Sequence, residues 1–182
     1  MILGDGIRLR AAEREDLSLF TGWLNDPEVR QGLELYLPLS MTEEEQWYDR
    51  MIKTSPPEHT MVIEILEAEI WVPVGNCGFH EFDWRAHCAE VGIFIGEKRF
   101  WDQGNGTKVM RLLLSHGFNT LNLNRISLRV FATNKRAIRC YQKTGFILEG
   151  TLRQAYYQAG NFTDILIMSV LRSEWNPSIH RT

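Results

Sequence analysis

The segment of residues 90–145 constrains this chain most, because it alternates strand, glycine loop, helix, strand and helix. An apolar run at residues 91–95 predicts a strand, and the loop at residues 101–107, with two glycines, leads into a helical pattern. A glycine loop in this position turns backbone N–H groups toward the space beyond the helix end, where an anion satisfies them. The segment therefore predicts a phosphate site at the start of the helix.

The charge of the segment supports the same site. Residues 103–148 contain no Asp or Glu and eight basic residues: Lys108, Arg111, Arg125, Arg129, Lys135, Arg136, Arg139 and Lys143. The first helical turn carries Lys108 and Arg111, where an isolated helix favours acidic residues that complement its dipole. A bound anion would supply the missing negative charge. A solvated basic face would show the same run of charges, so both interpretations remain open.

Length and composition predict one domain, residues 1–182, with a core at about residues 7–172. The chain has 182 residues, of which 44% are hydrophobic, enough for one core of ordinary size. No apolar run approaches the roughly 20 residues that span a bilayer, and the first residues do not resemble a signal peptide. We therefore expect a cytoplasmic protein without a membrane partner.

The cysteines and histidines predict neither disulfides nor a metal site. The three cysteines lie far apart and form no CxxC pair, so reduced thiols are expected. Four potential zinc ligands occur in a short span, but their spacing matches no familiar zinc pattern: Cys77, His80, His87 and Cys88.

The order of predicted elements indicates an α/β or α+β protein with a mixed sheet. Strands are expected at residues 7–10, 60–65, 74–82, 90–95, 125–130, 146–152 and 162–171. Thr42 and Glu45 have the spacing of a capping box and predict the start of the second helix. A dinucleotide-binding Rossmann sheet is excluded, because Val109 replaces the third glycine and no acidic residue follows until Glu149.

Several motifs occur in an order and separation that chance rarely produces: the loop at residues 101–106, then Asn134, Tyr141 and the pair Gly145-Phe146. In these residues the chain resembles the GNAT (GCN5-related N-acetyltransferase) family, in particular its ribosomal-protein alanine and spermidine acetyltransferases. The resemblance covers residues 7–172 and is strongest at residues 90–146. The loop of the family generally begins with Gln or Arg, whereas the loop of this chain begins with Trp101. A Trp at that position is similar to what the alanine-acetyltransferase branch shows.

The resemblance implies the GNAT fold, a central and mostly antiparallel sheet of seven strands with flanking helices. It also implies acetyl-CoA as the cosubstrate, with no metal. The main chain of Phe94 and Ile95 would bind the pantetheine arm in a splayed gap of the sheet, and Asn134 would also contact the coenzyme. The loop amides expected at the pyrophosphate are those of Gln103, Gly104, Asn105, Gly106 and Thr107.

The reaction that the resemblance implies needs a base and an acid, because an amine attacks a thioester only when it is neutral. We expect Tyr141 to protonate the departing thiolate, since a phenol with a reference pKa of about 10 is protonated at neutral pH. Glu90 is the candidate base, directly or through a water molecule. Glu81 and Asp83 remain alternatives.

The sequence leaves the acceptor amine open between a protein N-terminal α-amine and a small amine such as a polyamine. Acidic residues at positions 28–49 would attract either one, but a capped surface helix would look the same. Tyr156 and Tyr157, expected in the connection before the last strand, are candidates to wall the acceptor pocket or to pack beneath the loop.

The alternative to an enzyme is a non-catalytic acyl-CoA-binding module, against which Tyr141 argues, because a binder needs no acid for a thiolate. Nucleic-acid binding is not expected, since the net charge is −3 and no reader motif is present. The oligomeric state remains open, and a homodimer with exposed aromatic residues such as Trp71, Trp84 or Trp175 in its interface is one option.

Overall fold

The computed structural model describes residues 1–176 and has a sheet of eight strands, not the expected seven. The additional strand is β1 (Ile2–Gly4), which pairs antiparallel with β2 (Ile7–Ala11). Gly6, with φ of +66°, lies in the turn between them. Strand β1 was not predicted, because three residues are too few for an alternating pattern to be recognised. The last residues of the predicted domain, 177–182, lie outside the described chain.

The remaining elements follow the predicted order of a mixed α/β protein. The strands are β3 (Met61–Glu67), β4 (Ile70–Asp83), β5 (Cys88–Ile95), β6 (Arg125–Phe131), β7 (Ile147–Gln158) and β8 (Asn161–Leu171). The helices are α1 (Leu17–Asn25), α2 (Pro27–Arg30), α3 (Met41–Met51), α4 (Asn105–Asn119) and α5 (Lys135–Lys143). Within the described residues, none of these helices is long and apolar enough to cross a membrane.

The chain divides into two compact units. The first contains residues 1–79 and 92–105, and the second contains residues 80–91 and those from 106 onward. The boundaries between them fall within β4, within β5 and at the start of α4. The single domain expected for residues 1–182 stays a prediction.

In the first unit, β1, β2, β3 and β4 follow one another in antiparallel order. Helices α1 and α3 contribute to a buried cluster that includes Phe20, Tyr48 and Met51. The capping box of α3 lies two residues earlier than predicted. The Ser40 hydroxyl accepts a hydrogen bond from the Glu43 N–H at 3.2 Å, and the Glu43 carboxylate accepts one from the Ser40 N–H at 2.8 Å. The type of motif was correct, but its position was wrong.

A carboxylate lies in the buried stripe of α3. Glu44, Tyr48 and Met51 are the buried residues of this helix, at the spacing of one helical face. Glu44 is only 5% exposed, and burial raises the pKa of its carboxyl group. Glu44 thus occupies a position that the helical pattern reserves for an apolar side chain.

In the second unit, β5 and β6 form a parallel pair, with register from Cys88–Arg125 to Glu90–Ser127. Strand β8 pairs antiparallel with β6 on one side and with β7 on the other. Strand β7 lies at the end of the sheet order, and most of its residues are exposed.

Strand β7 continues to Gln158, so the expectation that Tyr156 and Tyr157 lie in a connection was wrong. The register of β7 against β8 shifts between Leu152 and Tyr156, and Gln154 has a φ of +51°. Such a bulge hides the alternation from which strands are predicted. Tyr156 stacks on Phe131, with 4.7 Å between the ring centroids, whereas Tyr157 is 58% exposed.

Candidate active site

The part of the glycine loop that lies in the first unit is shaped by two residues with left-handed backbone, Asp102 with φ of +58° and Gly104 with φ of +81°. The side-chain Nε2 atom of Gln103 donates to the Arg99 carbonyl at 2.6 Å. Buried Asn105 donates to the Phe100 carbonyl at 3.0 Å. Both side chains are thus hydrogen-bonded to the preceding main chain. An anion at this part of the loop would therefore bind the main-chain N–H groups.

The end of β5 carries the two residues predicted to bind pantetheine. Ala89 and Val91 are buried, whereas Gly92, Ile93, Phe94 and Ile95 are all partly exposed although the run is apolar. The Trp101 indole N–H donates to the Ile95 carbonyl at 2.7 Å. Trp101, the departure from the general family pattern, therefore holds the loop against the end of β5.

Two glycines allow close packing around Phe94. A Cβ atom added to Gly75 would lie 2.1 Å from the Phe94 carbonyl oxygen, and one added to Gly96 would lie 2.1 Å from Cγ of Trp23. The Trp23 ring also packs edge-on against Phe94, with centroids 6.4 Å apart. Helix α1 is thus fixed to the end of β5 by an aromatic contact.

In the second unit, the first turn of α4 packs against α5 through a cysteine. The Thr107 hydroxyl lies 3.6 Å from Cys140 Sγ, and a Cβ atom at Gly106 would be 3.4 Å from the same sulfur. The Asn134 side chain accepts a hydrogen bond from the Ala137 N–H at 3.1 Å and so caps α5. The structure gives Asn134 a helix-capping role. Its expected contact with the coenzyme stays a prediction.

Tyr141 is the proposed acid, and it lies on the buried face of α5. It is 8% exposed and packs against Phe146, with ring centroids 5.9 Å apart. Burial, with a smaller contribution from Cys140, raises the pKa of the phenol. A phenol in this environment is protonated at neutral pH, the state that a general acid requires.

Of the three carboxylates considered as bases, Glu90 lies close to another titratable side chain within residues 80–91, that of His80. The His80 Nδ1 atom lies 3.1 Å from the Glu90 carbonyl, and its Nε2 atom lies 3.9 Å from Glu90 Oε1. The Asp83 carboxylate instead accepts the N–H groups of Arg85 and Ala86, both at 2.9 Å, and shapes the hairpin turn.

His80 was not among the site residues predicted from the sequence. Its position ten residues before Glu90, across a hairpin, was the available signal, but a shift of one residue in the register would have separated the two side chains.

Arg111 is a second residue that sequence analysis left without a role of its own. Its Nε atom is buried and has no hydrogen-bond partner within residues 1–176. Burial raises the pKa of Cys140, while the positive charges of Lys143 and Arg111 act in the opposite direction. An unsatisfied buried guanidinium nitrogen in the second turn of α4 fits a phosphate ligand. Not all of the basic run is available, since Arg125 pairs with Glu149.

In the described part of the chain, no group of three His, Cys, Asp or Glu side chains is placed to hold a metal ion. Of the aromatic residues considered for a dimer interface, only Trp84 is exposed, and it stacks on Phe82. Trp71 lies beneath Arg8, and Trp175 packs against Phe118.

Two bacterial acetyltransferases are among the proteins that resemble the chain over most of its length. The spermidine N(1)-acetyltransferase of Vibrio cholerae serotype O1 is 27% identical over 171 residues, which are 93% of this chain and 95% of the relative. The uncharacterized N-acetyltransferase p20 of Bacillus licheniformis is 27% identical over 169 residues, 93% of this chain and 94% of the relative.

Solved structures show the same relationship. The crystal structure of spermidine N-acetyltransferase from Vibrio cholerae in complex with CoA and spermine aligns with a TM-score of 0.84 at 26% identity, covering 94% of this chain and 98% of the other. A dodecameric structure described for the Vibrio cholerae enzyme aligns with a TM-score of 0.78 at 26% identity, covering 93% and 96%.

The strongest evidence for the family comes from a sequence model of the acetyltransferase (GNAT) domain, which matches residues 7–147. This range contains the glycine loop, Asn134 and Tyr141, on which the resemblance was based. The acetyltransferase names of the relatives favour an enzyme over a non-catalytic binding module. The chain therefore belongs to the GNAT family and is an acetyl-CoA-dependent N-acetyltransferase.

Proposed function

We propose that the enzyme acetylates a primary amine of a polyamine, that the amine attacks acetyl-CoA directly, and that Tyr141 is the general acid. The observation that carries the mechanism is the buried Tyr141 phenol, whose pKa is raised by burial. The observation that favours a polyamine is the similarity to the Vibrio cholerae spermidine acetyltransferase, over more than nine-tenths of both chains.

The proposed reaction balances in three steps. A base at the Glu90 end of β5 removes one proton from the acceptor ammonium. The amine nitrogen bonds to the thioester carbonyl carbon, the carbon–sulfur bond breaks, and the nitrogen releases its second proton to solvent. Tyr141 gives its proton to the departing thiolate and regains one from solvent. The products are the N-acetylated amine, the free thiol of coenzyme A and one proton.

We propose that coenzyme A binds to the residues expected from the sequence. The loop amides of Gln103, Gly104, Asn105, Gly106 and Thr107 would hold the pyrophosphate, with Asn134 close to the coenzyme. Support comes from the left-handed loop backbone and from the unsatisfied Arg111 Nε atom. Phe94 and Ile95 would hold the pantetheine arm, supported by the partly exposed apolar run at residues 92–95.

The acidic segment at residues 28–49 is weaker support for a polyamine acceptor than its composition suggests. Lys98 binds Asp26 and Glu28 at 2.8 and 2.9 Å, and Arg14 binds Asp49 at 2.6 Å. Glu43 caps α3. These carboxylates are therefore engaged within the first unit, so the proposed acceptor rests mainly on the relatives.

A panel of amines would test the proposal. Release of free thiol from acetyl-CoA is measured with spermidine, spermine, free amino acids, aminoglycosides and short peptides that begin with Ala or Ser. We expect turnover with the polyamines at values of kcat/KM at least tenfold above the others. Turnover with the peptides instead would identify a protein α-amine acceptor, the second candidate. Thiol release with none of these amines would contradict the proposal.

Two further properties belong to this proposal. We assign the enzyme to the cytoplasm, because Cys77, Cys88 and Cys140 are free thiols, as is usual in a reducing compartment. We also propose self-association, at least to a homodimer. Exposed apolar side chains on β7, at the end of the sheet order, support it.

A further inference from the structure

We propose that His80 is the proton acceptor for the substrate ammonium and that Glu90 positions the imidazole. This inference rests on the proposed function and assigns its base. It replaces the direct action of Glu90 by a histidine–carboxylate pair located on neighbouring strands of one hairpin, within residues 80–91.

The tautomer of His80 follows from its partner. Nδ1 lies 3.1 Å from the backbone carbonyl of Glu90, and a carbonyl oxygen can only accept a hydrogen bond. Nδ1 must therefore carry the proton in neutral His80. The lone pair of the neutral ring is then on Nε2, which is the atom that can accept a proton.

The Glu90 carboxylate lies beside the imidazole without occupying the lone pair of Nε2. The distance from Nε2 to Glu90 Oε1 is 3.9 Å, too long for a direct hydrogen bond but short enough for an ion pair. The His80 side chain is 51% exposed, and that of Glu90 is 25% exposed. An ammonium arriving from solvent thus meets an accessible Nε2 beside a half-buried negative charge.

The backbone next to His80 departs from regular strand geometry. Glu81 has a φ of +51°, a left-handed conformation that glutamate rarely adopts. Irregularities of this kind redirect side chains and are frequent at functional sites. Glu81 itself is exposed and is not part of the His80–Glu90 contact.

An imidazole suits this task better than a carboxylate alone. In model peptides the imidazole titrates about two pH units closer to neutrality than a carboxyl group does. A base whose pKa lies near the working pH combines the correct protonation state with a useful affinity for the proton. His80 Nε2 takes the proton from the ammonium and later releases it to solvent, so the overall balance is unchanged.

The test compares His80→Ala with His87→Asn as a matched control. His87 Nδ1 also contacts a backbone carbonyl, that of Asn122 at 3.2 Å. Asparagine tolerates the φ of +53° at position 87. With saturating acetyl-CoA and spermidine, His80→Ala should lower kcat about 100-fold. Its dissociation constant for coenzyme A, measured by calorimetry, should stay within twofold of the wild type, as should every parameter of the control.

Chemical rescue separates proton transfer from a structural role. Imidazole added to the assay should raise the kcat of His80→Ala at least tenfold and should not affect the kcat of Glu90→Gln. Nitrogen NMR of the folded wild-type protein should show the His80 proton on Nδ1.

The inference is wrong if His80→Ala keeps more than a third of the wild-type kcat, or if imidazole restores nothing. Either result with an active wild type would leave the proposed acetyl transfer intact. A wild-type enzyme that releases no thiol with any amine would refute both proposals.

Discussion

At the scale of single residues, the hydroxyl group of Tyr141 is the most direct test of the mechanism. Tyr141→Phe keeps the ring that packs against Phe146 but removes the proton donor. We expect kcat to fall about 100-fold, within the range for loss of a general acid. Binding of coenzyme A, measured by calorimetry, should be unchanged.

The control for this substitution is Tyr157→Phe, since Tyr157 is exposed and also contacts a phenylalanine, Phe162. Its kcat is expected to equal that of the wild type. Unchanged turnover in Tyr141→Phe would remove the phenol from the mechanism.

Glu44 leads to a prediction about pH and stability. Its pKa is raised in the folded state, so the folded protein binds more protons than the unfolded chain. The free energy of unfolding therefore falls as pH rises from the unfolded pKa, near 4.5, through the folded value. Glu44→Gln removes this decrease in the free energy of unfolding, so the variant should be more stable than the wild type at pH 7.

Urea unfolding at a series of pH values measures the effect. The advantage of Glu44→Gln over the wild type should shrink as the pH approaches 4.5. Glu45→Gln, one position along on the exposed face, is the control and should show no such trend. An advantage that grew toward low pH would contradict the assigned direction of the pKa shift.

At the scale of elements, the approach of β4 to Phe94 depends on Gly75. An alanine there would place Cβ 2.1 Å from the Phe94 carbonyl oxygen, a backbone atom that cannot rotate away. We expect Gly75→Ala to lower the free energy of unfolding by about 1–3 kcal/mol, the usual effect of overpacking. The affinity for coenzyme A should fall as well, because Phe94 moves.

Gly92→Ala provides the comparison in β5, since its added Cβ meets no atom within 4 Å. This variant should unfold within about 0.5 kcal/mol of the wild type, as surface substitutions usually do. Equal unfolding free energies for the two variants, measured in urea, would show that the close approach at Gly75 has no energetic importance.

The elements also show which signals sequence analysis can use. The glycine loop, α4 and α5 were predicted in the correct order, because glycines and apolar spacing are local features of the chain. The start of α4 was placed too late, since the helix begins at Asn105, inside the loop expected at residues 101–107, and Arg111 is therefore in its second turn. The end of β7 was missed because a bulge interrupts the alternation, and α3 was started at Thr42 although Ser40 also begins a capping box. The contact between His80 and Glu90 depends on register across a hairpin, which composition and spacing do not determine.

At the scale of the whole molecule, the exposed strand β7 predicts self-association. Ile147, Leu148 and Leu152 are 55%, 53% and 40% exposed on this terminal strand of the sheet. Exposed strands with apolar side chains tend to pair with another chain, and a lysine on such a strand opposes that pairing. Leu148→Lys should therefore shift the enzyme toward a monomer, as measured by sedimentation velocity over a range of concentrations.

Leu66→Lys is the control, because Leu66 is 44% exposed at the end of β3, a strand of the first unit. It should associate as the wild type does. A wild type that stays monomeric at every concentration, or two variants that dissociate equally, would contradict a role for β7.

For the molecule as a whole, the sequence predicted the family and the fold, because the loop, Asn134 and Tyr141 occur together in a fixed order. It did not reveal the first strand or the division into two compact units. The engagement of Asp26, Glu28 and Asp49 by basic partners was also hidden, since ion pairs form between residues distant in the chain.

The buried carboxylate of α3 also has a consequence for laboratory evolution of this enzyme. Most substitutions that alter acceptor choice destabilise a protein, and a library loses those variants that no longer fold. Replacing Glu44 by leucine would put an apolar side chain into a stripe that already contains Tyr48 and Met51. A parent with this change would tolerate more mutations, so that more variants with new amine preferences would survive selection.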